Sequence, residues 1–410
     1  MKKKLLSMAL LLGAFTIHAQ VVTHTVTMGA GSGNNVFYKI NTQSETSYNN
    51  NDWDLAFYRD SSRQKGIRIN DGKGLTLHEV SNNINDWNTV SIGDVSDENA
   101  LYNSDITWAD GAFDAGSAQF GWGVYNISTH AVTGSVVFII KYPNNQFKKV
   151  KINSFLGGYN FTYANWDGAA WGPDITQELP NTANANNYFN YFNLNTNTAV
   201  IAEADKTAWD LEFTKYTGDV PTFDGTLMKY VVTGVLHNPN VTVAKSQNME
   251  TGAFSEEINA IGYNWKTFNG ADYSVDSATN YFVKYADATV YKLNFQSFSG
   301  TSTGTTVFTT EDVTASLSTS DPLAQVQFGV FPNPSTNKRV NLLLDLKNTD
   351  AAGLEVQIFN TNGGLVHQEQ YTDGSGFYNR ELDLSKLSSG IYLVKIQSGS
   401  YGATKKLILN

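Results

Sequence analysis

Cysteine is absent from this chain of 410 residues. No disulfide, thiol nucleophile, iron–sulfur cluster or thiolate zinc site can be built, so the folded units rest on core burial alone. Positive charge is scarce: 28 Lys and Arg stand against 38 Asp and Glu, a net charge of −10. Such a chain has no electrostatic footprint for nucleic acid and is repelled by anionic lipid. Long apolar runs are missing too, since nothing beyond the N-terminal segment approaches the ~18 uninterrupted apolar residues of a spanning helix. No long stretch repeats its apolar residues at helical spacing, and the one hint of helix is short, Asp276 to Ala278. Neither H-E-x-x-H nor an EF-hand string occurs.

What is abundant is aromatic and β-forming. The chain holds 23 Phe, 21 Tyr and 8 Trp among plentiful Asn and Thr, the balance of an all-β extracellular protein. The N-terminus reads as a signal peptide over residues 1–19, with Lys2-Lys3-Lys4, the apolar Leu5 to Phe15, and Ile17-His18-Ala19 before Gln20. Its removal takes away three lysines and no acid, moving the net charge to −13.

The C-terminal residues 328–410 form a separate module. Phe331-Pro332-Asn333-Pro334 opens it with two fixed φ angles and a turn-forming Asn. Period-2 strands follow at Val340–Leu344, Leu354–Phe359 and Ile391–Ile396, with a hairpin turn at Asn360-Thr361-Asn362-Gly363-Gly364. Lys405-Lys406 and a last apolar strand end the chain. These ordered elements resemble the type A sorting domain of the type IX secretion system. The resemblance implies export to the cell surface or medium, with the secretion machinery as partner.

Between leader and tag the sequence repeats. Trp53-Asp54-Leu55-Ala56-Phe57 returns as Trp209-Asp210-Leu211-Glu212-Phe213, with Trp, Leu and Phe expected on one strand face. Upstream, Val36 to Thr42 matches Tyr191 to Thr196 in character; downstream, Lys141-Tyr142 and Ser154-Phe155 recur as Lys284-Tyr285 and Ser297-Phe298. Pro143-Asn144-Asn145 and Ala286-Asp287-Ala288 each separate two hairpin strands. The expected fold is all-β: two tandem antiparallel β-rich domains at 21–171 and 174–314, a linker at 315–327 with Asp321-Pro322, and a small C-terminal β-sandwich at 328–410.

The order WDLAF, then Ile67-Arg68-Ile69-Asn70-Asp71-Gly72, then a paired VVFIIKY and KKVKINSF resembles the HmuY-like family. The second copy carries WDLEF and NYFVKYADATVYKLNFQSF, with Tyr230-Val231-Val232-Thr233-Gly234 at the IRIN step. That resemblance implies an exported, non-enzymatic binding protein, with haem or a related porphyrin as ligand. Axial ligation needs His or Met at the mouth of an apolar pocket. His24 belongs to an exposed N-terminus and His367 to the tag, which leaves His78 and His130 as the ligand candidates of the first copy. His237, Met228 and Met249 follow in the second.

Catalytic constellations do not form. Gly300-Thr301-Ser302-Thr303-Gly304 fits G-x-S-x-G but trails a strand with no helix after it, so it reads as a hairpin loop. Gly29-Ala30-Gly31-Ser32-Gly33 lacks the βαβ context of a phosphate loop. Asp110, Asp114 and Asp174 show no pairing that marks an acid and a base, and the Asn50-Asn51-Asp52 and Asn70-Asp71-Gly72 turns suit calcium no better than ordinary turn chemistry. Trp87, Trp108, Trp122, Trp166 and Trp171 all fall in the first copy. They support the alternative of a structural or adhesive surface protein that binds polysaccharide or a partner protein.

Overall fold

The computed structural model describes residues 20–59, 66–182, 184–246, 253–314, 326–346, 354–372, 376–398 and 401–410. The signal peptide expected at 1–19, linker residues 315–325 and Met249 lie outside them. The described residues form strands, turns and short 3₁₀ segments with no complete α-helix, so the protein is all-β. Asp276 to Ala278 is a turn in which the Asp276 carboxylate accepts from the Ala278 amide. Two compact units divide the chain after Val313.

The first unit holds two β-sandwiches. In one, a sheet ordered β13 (Ile175–Pro180), β12 (Gly158–Asn165), β11 (Phe147–Phe155), β10 (Val137–Lys141) and β6 (Thr76–Ser81) packs on a sheet ordered β15 (Thr198–Val200), β14 (Phe189–Asn193), β4 (Leu55–Tyr58) and β5 (Ile67–Ile69). In the other, β1 (Val22–Thr27), β23 (Thr305–Asp312), β22 (Val290–Phe298), β21 (Asn280–Tyr285) and β18 (Val241–Ser246) pack on β3 (Ser44–Asn49), β2 (Asn34–Lys39), β16 (Leu211–Pro221) and β17 (Leu227–His237). The two strand orders correspond one to one. Even the register shift between Ile152 and Ser154 returns between Phe295 and Ser297. The two hairpin turns stand where the sequence places them, between β10 and β11 and between β21 and β22.

The strands of the two copies are interleaved, and a boundary at 171–174 separates no folded bodies. β1 pairs with β23 and β2 with β16, so residues 22–49 complete the second sandwich. β13 pairs with β12 and β14 with β4, so residues 175–200 complete the first. The first sandwich is thus continuous in sequence and inserted into the second. The duplicated Asp explains how each exchange is held. The Asp54 carboxylate accepts from the Leu194 amide at 2.7 Å and pairs with Lys73 at 2.7 Å. Asp210 accepts from the Ile40 amide at 2.8 Å and pairs with Lys39 at 2.7 Å. Both carboxylates are buried, so losing a partner strands a charge in the interior.

The back faces of β4 and β14 are buried as well, against the second sandwich. Phe37, Trp53, Ala56, Tyr58, Tyr188, Phe189, Tyr191 and Trp209 form this seam. Here one expectation is corrected. Trp53 and Trp209 occupy equivalent places, but neither shares a face with its following Leu and Phe. Leu55 and Phe57 enter the first core, Leu211 and Phe213 the second, while both tryptophans turn into the seam. A second correction concerns the IRIN step. Arg68 pairs with Ala56 across β4 and β5, and Leu236 with Glu212 across β16 and β17. The counterpart of Ile67-Arg68-Ile69-Asn70 is therefore Val235-Leu236-His237-Asn238. Asn70 and Asn238 do the same work: their amides donate to the carbonyls of Trp53 and Trp209, each at 3.0 Å.

The second unit pairs a sheet ordered β24 (Val326–Phe331), β25 (Arg339–Leu346) and β28 (Gly376–Asp383) with one ordered β27 (Leu365–Tyr371), β26 (Leu354–Asn360), β29 (Gly390–Ser398) and β30 (Tyr401–Leu409). Its core is aliphatic, built on Val340, Leu342, Val356, Ile358, Val394, Ile396 and Leu407. The Asn360 to Gly364 turn closes β26 onto β27.

Candidate functional site

A groove of about 820 Å³ opens at one end of the first sandwich. β8 (Gly123–Asn126) and β9 (Ala131–Gly134) form a hairpin whose second strand pairs with the end of β11. Its turn is set locally: Asn126 Oδ1 accepts from the Ser128 amide at 2.9 Å, and His130 takes a left-handed φ of 57°. The groove lies between this hairpin, the turn from β11 to β12 and the loop after β13, with Phe120, Tyr125, Val132, Phe155 and Leu156 on its walls. Leu156 and Tyr125 are exposed, at 66% and 43%. Exposed apolar walls around a concavity of this size are characteristic of small-molecule sites.

Two polar groups meet the apolar wall. Arg59 borders the groove, its guanidinium anchored by carbonyls of Asn181 at 3.0 Å, Ala185 at 2.9 Å and Asn187 at 2.7 Å. His130 lines it with Nδ1 2.8 Å from the Tyr125 hydroxyl. With hydrogen on Nδ1, Tyr125 oxygen accepts it and Nε2 keeps its lone pair for a ligand, the arrangement that orients ligating imidazoles.

His78 is not brought to this groove. It is buried on β6, with Nδ1 2.9 Å from the Ser96 carbonyl and Nε2 2.9 Å from the Thr76 hydroxyl. The expectation that it is an axial ligand is corrected: both nitrogens already hold the fold together. His24 is likewise no exposed residue; it is buried in the second sandwich, 2.6 Å from both the Tyr38 and the Thr310 hydroxyls. His237 is fully buried with carbonyls of Asn238 and Glu257 at 3.0 and 2.8 Å. Burial lowers all three imidazoles below their ordinary value. Met228 is exposed on β17.

The second sandwich is closed at the matching end. Phe298, the counterpart of Phe155, is covered by the Tyr273 ring at 4.9 Å, and the Lys266 ammonium lies 4.8 Å from the Phe298 centroid. β19 (Lys266–Phe268) and β20 (Tyr273–Val275) supply this cover. Burial pushes the Lys266 ammonium down to about 7.

A small polar cavity of about 40 Å³ lies in the seam, with Arg68, Asp71 and Glu212 on its walls. Arg68 donates to the carbonyls of Ser104, Thr107 and Asp110 at 2.7, 2.9 and 3.0 Å. Asp71 accepts from the Thr217 amide at 2.9 Å. Burial pushes the Glu212 carboxyl up to about 8 against the opposing pull of Arg68. A space this small suits water, not an organic ligand.

The other residues singled out in the sequence have structural places. Trp87 and Trp122 are buried, Trp108 lies in the seam, and the half-buried Trp166 and Trp171 meet edge to face, 5.0 Å between ring centroids, across an exposed turn. Gly300 to Ser302 is a turn in the loop between β22 and β23, where the Ser302 hydroxyl donates to the Ser299 carbonyl at 3.2 Å. Asp114 accepts from the amides of Ile67 and Gly111, and burial raises it to about 7. Asp174 accepts from the Trp87 indole. In the tag, Asn333 and Ser335 are hydrogen-bonded to the last strand, and Lys405 and Lys406 are exposed. Pro332 and Pro334 both follow cis peptide bonds.

Sequence reasoning found His130 but missed Tyr125, Leu156 and Arg59. Of the groove wall, only Phe155 stood in a repeat marker.

Residues 329–410 match the secretion system C-terminal sorting domain. The protein carries a type IX sorting domain and is secreted or attached at the outer-membrane surface. Among the described residues no helix is long and apolar enough to cross a membrane. No curated protein matches the chain. Among solved structures it is similar to apo PinO from Porphyromonas gingivitis, with 8% identity and a TM-score of 0.19, over 71% of this chain and 96% of that one.

Proposed function

We propose that the exported protein is a non-enzymatic binding protein whose groove on the first sandwich takes a planar, largely apolar ligand of porphyrin type. The observation that carries this reading is the groove itself: about 820 Å³, walled by Phe120, Tyr125, Val132, Phe155 and Leu156, with one imidazole and one guanidinium at its edge. The HmuY-like order of motifs in the sequence favours haem within that class. His130 Nε2 fits the role of a single axial ligand, held by Tyr125, and Arg59 suits a peripheral carboxylate. Bound haem would supply the metal that His130 ligates. The second sandwich acts as scaffold, since Tyr273 and Lys266 fill the matching end.

The apolar part of the reading is tested with metal-free protoporphyrin, which needs no histidine. Titration should quench tryptophan fluorescence, and Leu156→Arg or Val132→Arg should weaken binding on the order of tenfold or more by placing a charge on the apolar wall. Equal binding by both variants would remove the groove from consideration. The half-buried Trp166 and Trp171 pair is the feature that favours the adhesive alternative, and retention on a polysaccharide column lost in Trp166→Ala is its signature.

A further inference from the structure

Two hydrogen-bond donors in the seam stand without an acceptor. Asn50 Nδ2 and Trp53 Nε1 are buried and have no hydrogen-bond partner among the described residues. Both residues line the polar cavity of about 40 Å³. Their backbones are fixed, because the Asn70 amide donates to the Asn50 carbonyl at 2.5 Å and to the Trp53 carbonyl at 3.0 Å, on either side of the 3₁₀ turn Asn50–Asp52. The Trp53 ring is held in turn by the Tyr191 ring, edge to face at 5.0 Å between centroids. A buried N–H left unpaired forfeits the bond it makes with water in the unfolded chain.

Glu212 lines the same cavity from β16, on the second sandwich. Its carboxyl keeps an oxygen able to accept in either protonation state. Asp71 and Arg68 are already committed. Asp71 Oδ1 accepts from the Gly72 amide at 3.0 Å and Oδ2 from the Thr217 amide at 2.9 Å, while Arg68 donates to the carbonyls of Ser104, Thr107 and Asp110. Unpartnered donors alone would suit an anion, and carboxyl oxygens alone a cation. A cavity with both takes a molecule that accepts and donates, and about 40 Å³ gives room for roughly two or three waters.

We propose that the seam cavity is an internal water site: water accepts from Asn50 Nδ2 and Trp53 Nε1 and hydrogen-bonds the Glu212 carboxyl. The bridge ties the entry of the first sandwich to β16 of the second, as a polar link within an otherwise aromatic seam. Trp209 supplies the contrast. Its Nε1 is also buried and without a partner among the described residues, but Trp209 does not line this cavity and packs against the rings of Phe37, Trp108 and Tyr188.

The test is the indole N–H magnetic-resonance spectrum of the isotope-labelled full chain. Water contacts are read in the rotating frame, where bound water and hydrogen exchange give opposite signs. Trp53→Phe and Trp209→Phe identify the two signals. Trp53 should show a bound-water cross-peak and Trp209 none. Glu212→Gln keeps a carbonyl oxygen and should retain the cross-peak. Glu212→Leu removes the acceptor and should lose it, with the other indole signals still dispersed. No bound-water cross-peak on Trp53 overturns the proposal, as does an equal one on Trp209 or one that survives in folded Glu212→Leu. Should Glu212→Leu fail to fold, the parent and Glu212→Gln spectra decide alone.

Discussion

Replacing Glu212 by Gln should stabilise the protein at neutral pH and leave it unchanged in acid. Glu212 stands where the first copy has Ala56, inside the seam and 6% exposed. Its carboxyl ordinarily ionises near 4.5; in the fold burial pushes it up to about 8, although Arg68 opposes the shift. The unfolded chain releases this proton above pH 4.5, so folding must take it up again. Stability contributed at this site therefore falls as pH rises from about 4.5 to 8 and is constant below and above that window. At pH 7 the cost is on the order of 3 kcal/mol. Gln keeps the shape and the hydrogen-bonding of the neutral acid without the proton uptake, so the variant should exceed the parent by that order at pH 7. The gap should close below pH 5. Urea denaturation followed by tryptophan fluorescence isolates the effect, because all eight tryptophans lie between residues 53 and 265. A variant less stable than the parent at pH 7, with parental stability rising from pH 5 to 8, would refute the reasoning. Glu212 would then be ionised in the fold and stabilised by Arg68.

The buried histidines act in the opposite direction. Because burial holds His24, His78 and His237 below their ordinary value, the folded state should lose stability as pH falls below about 6.5, and His78→Gln should flatten that acid limb in the same denaturation series. Asp210→Ala leaves the half-buried Lys39 ammonium and the Ile40 amide without their acceptor beside Tyr285 and should cost about 3 kcal/mol, measurable as a lowered urea midpoint; a change under ~1 kcal/mol would mean the exchanged strands are held by apolar contacts alone. Trp53→Ala and Trp209→Ala should each cost about 3–5 kcal/mol, and similar losses are expected from their equivalent places. Tyr125→Phe should weaken hemin binding about tenfold through loss of the hydrogen bond to His130, read by absorbance titration.

Strands and hairpins were legible because alternation is local. The duplication was legible because Trp-Asp-Leu and the Ser-Phe marker recur in the same order in alternating strands, although the stretch between them is 13 residues shorter in the second copy. The exchange of strands was not, since residues 22–49 pair with partners in 211–310 and no local signal separates pairing within a copy from pairing between copies. The same exchange hid the burial of His24, which sits beside the leader in sequence but opposite Phe308 in the sheet. It also misled the reading of Trp53, whose parity matches Leu55 although the chain turns between them at Asp54. At the groove, His130 was visible as a turn residue, while its wall comes from three loops that only the folded chain brings together.

The most direct measurement is the absorption spectrum of the purified chain with one equivalent of hemin, recorded for the parent, His130→Ala and His78→Ala. A shifted Soret band that persists in His78→Ala and disappears in His130→Ala is the expected result. A band unchanged in His130→Ala, or no band in the parent, would contradict ligation by the groove histidine of the first sandwich.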